Sequence, residues 1–135
     1  MKLVDSTFII DILHGQPEAI AKAQQLDAEE LEVYTTEISV FEVVLGIFGS
    51  KKTIAKEQRL QEAQRVFERF QILSLNHTSA IQGAKIAGNL MLTGQKIDDN
   101  DCMIAGIALS NQISTIVTRN INHFERIKKI EVEKY

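Results

Sequence analysis

Five short apolar runs alternate along this chain with stretches of helical periodicity: KLV at 2–4, LEVYTT at 31–36, QILSL at 71–75, STIVT at 114–118 and IEVEKY at 130–135. Runs of this length, bounded by polar residues, read as strands. After the first, Phe8, Ile9, Ile12 and Leu13 recur at helical spacing up to His14-Gly15, and Pro17 sits in the first turn of a second helix reaching about Leu26. EISVFEVVLGIF (37–48) is helical by its stripe of Ile38, Phe41 and Leu45. Residues 51–70 form a long amphipathic helix through Ile54, Leu60, Ala63, Val66, Phe67 and Phe70. Residues 77–93 form another, with Ile81, Ala84, Ala87, Leu90 and Met91 as its buried face. QKIDDNDCMIAGIAL (95–109) contributes one more helix, and 121–127 a short helical turn. Strands alternating with helices predict an α/β fold in three layers, a mostly parallel central sheet flanked by helices. Ligands of such sheets bind beyond the carboxyl ends of the strands, where the strand order reverses. Polar residues at strand ends are therefore the ones to inspect.

The 135 residues fit a single domain spanning 1–135, large enough to bury a real core. No apolar run approaches the length of a bilayer span, and the Asp inside MKLVDSTFIIDIL argues against a signal peptide. A single cysteine, Cys102, excludes an internal disulfide and fits a reducing, cytoplasmic setting. The formal net charge of −3 opposes a dedicated duplex-DNA binder but not an enzyme that touches a few phosphates.

The acids fall at the sensitive places. Asp5 closes the first strand, and Asn120 follows the fourth, one residue past Arg119. Asp101 shares a helical stripe with Ile104, Ala105 and Ala108. Glu42 lies mid-helix on the face of Ile38, Phe41 and Leu45, where an ionised carboxylate is costly unless paired. Bland readings exist for each. Asp99 suits a helix N-cap, Ser6 a cap after Asp5, and Arg59, Arg65 or Lys51 a partner for Glu42. One shared cation is the more economical arrangement. Two carboxylates about 4 Å apart repel by roughly 4 kcal/mol at an effective dielectric of about 20. Three together take up protons unless a cation sits among them. With no cysteine pair and no His-x-x-x-His, the ligands on offer are oxygens, which select Mg²⁺ or Mn²⁺ and suit phosphodiester hydrolysis.

With those residues in place the chain resembles the PIN-domain ribonucleases of the VapC toxin type. LVDSTFIIDIL, TTEISVFEVVLG and GQKIDDNDCMIAGIALSNQISTIVTRNINHF match that family's three blocks in order and spacing. The resemblance implies a PIN-like fold and Mg²⁺- or Mn²⁺-dependent endoribonuclease activity on RNA. It also implies a homodimer held silent by a cognate antitoxin. It maps the catalytic acids onto Asp5, Glu42 and Asp101, and the family's fourth acid onto Asn120, a departure that leaves an oxygen without charge. Asp5, Asp101 and Glu42 would hold the metal, with Asp99 compensating from the other side. Ser6, Thr118 and Arg119 would position water or phosphate. A catalytically weak or inactive PIN-like module that binds RNA or protein is the alternative, with Asn120 as its mark.

Other features carry less. His123 beside Phe124 reads as a rider on the short helix rather than a base, and His14 and His77 as caps at helix edges. Cys102 is a small apolar filler. Lys51, Lys52, Lys56 and Arg59 read as a solvated face before an RNA-steering one, and Phe48, Ile54 and Phe67 as spare apolar positions for a partner. A phospho-acceptor receiver module is opposed by the lone acid in LVDST and the absence of a lysine after TIVT.

Overall fold

A five-stranded, wholly parallel sheet runs through the computed structural model, which describes residues 1–52 and 54–135. Its strands are β1 (Lys2–Val4), β2 (Val33–Thr36), β3 (Gln71–Leu73), β4 (Thr115–Val117) and β5 (Glu131–Glu133), in the order β3-β2-β1-β4-β5. Leu3 of β1 pairs with Tyr34 on one side and Ile116 on the other. From β1 the chain steps outward to β2 and β3, then returns to the opposite flank for β4 and β5. The order thus reverses between β1 and β4, and a crevice opens there at the carboxyl ends.

Seven described helices cover the two faces. On one side, α1 (Ser6–Leu13), α2 (Pro17–Ala28), α3 (Glu37–Phe48) and α4 (Lys56–Phe67) pack Phe8, Ala23, Val43 and Phe67 against Val4 and Val117. On the other, α5 (His77–Leu92), α6 (Asp99–Ser110) and α7 (Ile121–Phe124) pack Leu90, Ile104 and Phe124 against Leu3 and Ile116. The alternation Leu3-out, Val4-out to opposite faces is the period-two pleat at work. It makes a three-layer α/β fold, as the alternating pattern predicted.

The α5–α6 contact has a particular chemistry. A Cβ placed on Gly106 would lie 2.6 Å from both the amide nitrogen of Gly83 and the carbonyl oxygen of Ser79. The two backbones therefore touch with no side chain between them. This explains a correction to α5, whose inward face is Ser79, Gly83 and Leu90, with Ile86 and Ala87 beside them. Ile81, Ala84 and Met91, expected inside, are exposed. Small residues mark the point of closest approach, and Leu90 is buried farther along the same face.

α3 is also turned from its expected stripe. Its buried residues are Ser39, Val43 and Ile47, while Phe41 and Leu45 are 61% and 55% exposed. The helix is apolar nearly all round, so periodicity alone cannot choose its inner face. Thr36 makes the choice at the N-cap, where its hydroxyl accepts from Ser39 N at 3.0 Å and brings Ser39 inward. The helix expected over 51–70 spans only Lys56–Phe67, and Ile54 is exposed rather than core. Residue 53, within that expected helix, lies outside the described residues. Among the described residues no helix is long and apolar enough to cross a membrane.

Candidate active site

Asp5 stands at the end of β1, in the crevice beside β4, and is 2% exposed. Three donors hold its carboxylate. Thr118 Oγ1, just past β4, donates to Oδ2 at 2.6 Å, and Thr7 Oγ1 donates to Oδ1 at 2.7 Å. Phe8 N donates to Oδ1 at 3.3 Å, which makes Asp5 the N-cap of α1. Arg119 N in turn donates to Thr7 Oγ1 at 3.0 Å, and Asn120 N to Thr118 Oγ1 at 2.8 Å, so hydroxyls tie the two strand ends together. Burial pushes the Asp5 carboxyl up to about 6, the nearby Asp101 charge adds to the rise, and the three hydrogen bonds oppose it.

Asp101 enters from the first turn of α6, a helix buried over most of its length from Asp101 to Ala108. Its Oδ2 lies 2.6 Å from His123 Nδ1 and 3.1 Å from Asn120 Nδ2. Glu42, half-buried on α3, accepts from Ser6 Oγ at 3.2 Å. Burial raises the Glu42 carboxyl, and the charges of Asp101 and Asp5 raise it further. Burial also raises Asp101, against the lowering effect of His123. The Asp101 charge thus bears on Asp5 and on Glu42, and the Asp5 charge on Glu42, while the acid that raises Asp101 is Asp98.

The structure thus gathers Asp5, Glu42, Asp101, Asn120, Ser6 and Thr118 at one crevice, but it repositions others. Glu42 is not on a buried apolar stripe, and among the described ion pairs none joins it to Arg59, Arg65 or Lys51. Asp98, not Asp99, is the N-cap residue of α6, and it makes no side-chain cap bond. Asp98 also offers a ligand atom within 4.8 Å of those of Asp101 and His123, whereas Asp99 is an exposed first-turn residue outside that group. The Arg119 guanidinium is 3.4 Å from Asp11, a buried acid that also accepts from Tyr135 at 2.7 Å. His77 is not a cap, since Asn76 and Ser79 form a capping box there.

The sequence reading set His123 aside as a rider on the short helix and gave no site role to Asp98, Thr7 or Asp11. The usable signal for His123 was its place three residues after Asn120, one helical turn on and hence on the same side. Cys102 is buried, and burial together with Asp99, Asp101 and Asp98 pushes its thiol up to about 11, so it is no nucleophile.

Among the described residues, Asp98, Asp101 and His123 bring ligand atoms within 4.8 Å of one another and could hold a divalent cation, whereas Asp5 and Glu42 fall outside that group. Among the described residues no lysine or arginine is paired with Asp5, Glu42 or Asp101. Three acids supported only by hydroxyls, amides and one imidazole leave negative charge that a cation would neutralise.

Comparison with known proteins identifies the family and the fold. A family model described as PIN domain matches residues 2–130. The tRNA(fMet)-specific endonuclease VapC of Salmonella typhimurium is 28% identical over 133 residues, covering 98% of this chain and 96% of the relative. Ribonuclease VapC1 of Haemophilus influenzae is 29% identical over 131 residues, covering 96% and 93%. Among solved structures, the DNA-bound VapBC from Salmonella typhimurium superposes with a TM-score of 0.83 at 27% identity, covering 98% of this chain and 96% of that one.

Proposed function

This chain belongs to the PIN domain family, and from that membership we propose that it is a metal-dependent endoribonuclease, the toxin of a VapBC-type pair. The observation that carries the reading is the convergence of Asp5, Glu42 and Asp101 at the β1–β4 crevice, with every carboxyl raised and, among the described residues, no lysine or arginine paired with them. Asp5 and Asp101 would hold the metal, Mg²⁺ or Mn²⁺, with Glu42 beside them. When bound, a divalent ion supplies water activation and neutralises charge developing on the phosphate oxygens.

The chain's own groups do the rest. Thr7 and Thr118 lock Asp5 in one orientation, and Asn120 holds Asp101. Glu42, fixed by Ser6 and raised above the ordinary carboxylate range by burial and by the Asp101 and Asp5 charges, would accept a proton from the attacking water. Arg119, largely exposed and only loosely held by Asp11, reaches a phosphate of the RNA. A cognate antitoxin, a homodimer and a cytoplasmic setting complete the proposal.

A cleavage assay on structured RNA under Mg²⁺ and Mn²⁺ titration, beside Asp5→Asn and Asp101→Asn, tests it. Cleavage by the unaltered chain and loss in both folded variants is expected. No cleavage by the unaltered chain with either ion overturns the enzyme and leaves the binding module in its place.

A further inference from the structure

His123 has no role in that mechanism, yet its ring nitrogen sits inside the cluster. Asp101 Oδ2, His123 Nδ1 and Asn120 Nδ2 contact one another pairwise, at 2.6, 2.9 and 3.1 Å. With an ionised carboxylate, no placement of protons satisfies all three edges. If the amide donates to both neighbours, the imidazole nitrogen and the carboxylate oxygen face each other as two acceptors. If the ring nitrogen carries the proton, it faces an amide N–H. Turning the amide over relieves that edge but puts two acceptor oxygens in contact. A proton on Asp101 Oδ2 resolves the conflict at the expense of the charge; a cation resolves it with the carboxylate ionised, because oxygen, nitrogen and the turned amide oxygen all direct electron pairs at it. Asp98 adds a further oxygen, its ligand atom within 4.8 Å of those of Asp101 and His123.

We propose that His123 Nδ1 is a ligand of the metal, beside Asp98 and Asp101, and that this mixed nitrogen–oxygen set selects Mn²⁺ over Mg²⁺. The inference rests on the metal-dependent reading of the site and deepens it. Mg²⁺ demands hard oxygen donors and keeps its waters, whereas imidazole suits transition metals and strengthens along the first-row series. An all-oxygen expectation from the acids alone misses this, since the nitrogen comes from a different element, α7.

The test is spin-echo modulation spectroscopy of Mn²⁺ bound to the full chain, with and without ¹⁵N-labelled histidine. Nitrogen coupling that changes with the label is expected in the unaltered chain and is absent in His123→Asp. In competition titrations the same variant lowers the Mn²⁺-to-Mg²⁺ affinity ratio by at least about tenfold. The proposal is overturned if Mn²⁺ does not bind, if no histidine nitrogen couples in the unaltered chain, or if coupling survives in His123→Asp. Should that variant not fold, the labelled spectrum of the unaltered chain decides alone. RNA cleavage is scored separately. Cleavage without nitrogen coupling removes only the ligand assignment, and coupling without cleavage removes only the nuclease.

Discussion

Two groups of charged side chains lie within this fold, and their electrostatics run in opposite directions. Where α2 meets β1 and β5, Lys2 bonds Glu133 and Glu29 at 3.0 Å, and the buried Lys22 also pairs with Glu133. Burial works against both partners, but the hydrogen bonds and opposite charges win: Lys2 is raised and Glu133 lowered. Two cations meet two anions and the region is closed. At the β1–β4 crevice burial wins instead, and Asp5, Glu42 and Asp101 are all raised. One group is assembled for the folded state itself. The other stays unbalanced, which is the signature of a site kept for something that arrives from outside.

Breaking the open group should show first in chemistry. Asp101→Asn is expected to lower RNA cleavage by about a thousandfold, equivalent to about 4 kcal/mol, in a single-turnover assay with folding checked by circular dichroism. Next comes pH, measured in chelator so that no cation masks the acids. Asp5 moves from an ordinary 3.8 to about 6 in the folded state, so its contribution is present below 3.8 and is lost as pH rises through 6. That loss amounts to about 3 kcal/mol in denaturant titrations between roughly pH 4 and 7, and Asp5→Asn should flatten it. Glu133 behaves in the reverse sense. Its folded value lies below the ordinary 4.5, so its stabilisation is present above 4.5 and lost as pH falls through the lowered value.

Smaller effects sharpen the contrast. Glu133→Gln strands Lys22 and half-strands Lys2, and should cost about 2 kcal/mol in unfolding free energy while cleavage per folded molecule stays level. Glu42→Gln should do the opposite, gaining about 1 kcal/mol of metal-free stability and slowing cleavage. A stabilised Glu133→Gln, or a destabilised Glu42→Gln, would erase the distinction between the two regions.

The sequence made the architecture legible because strand runs and helical stripes alternate without interruption, and the parallel sheet follows from that order. It also made Asp5 and Asp101 legible, since each stands at an element end preceded or followed by apolar residues. It hid the face of α3, where Val40, Phe41, Val43, Val44, Leu45 and Ile47 surround the axis and only the Thr36–Ser39 contact settles the rotation. It hid the contact of His123 with Asp101, because the neighbouring Phe124 fills the core and gives that segment a structural purpose of its own. The Lys2–Lys22–Glu133 group was beyond reach, because its members are brought together across more than a hundred residues. Local pattern fixes which elements form, whereas their rotations and long-range pairings depend on the assembled packing.

The direct backbone contact at Gly106 has a consequence some distance away. Asp101 stands five residues earlier on the same helix, about 7 Å along its axis. A methyl group added at Gly106 would have to lever α6 off its neighbour, and a rigid rod transmits a tilt at one end to the other. An alanine there would touch none of the acids and still spoil their spacing, so a search for inactive variants should recover Gly106 alongside the carboxylates.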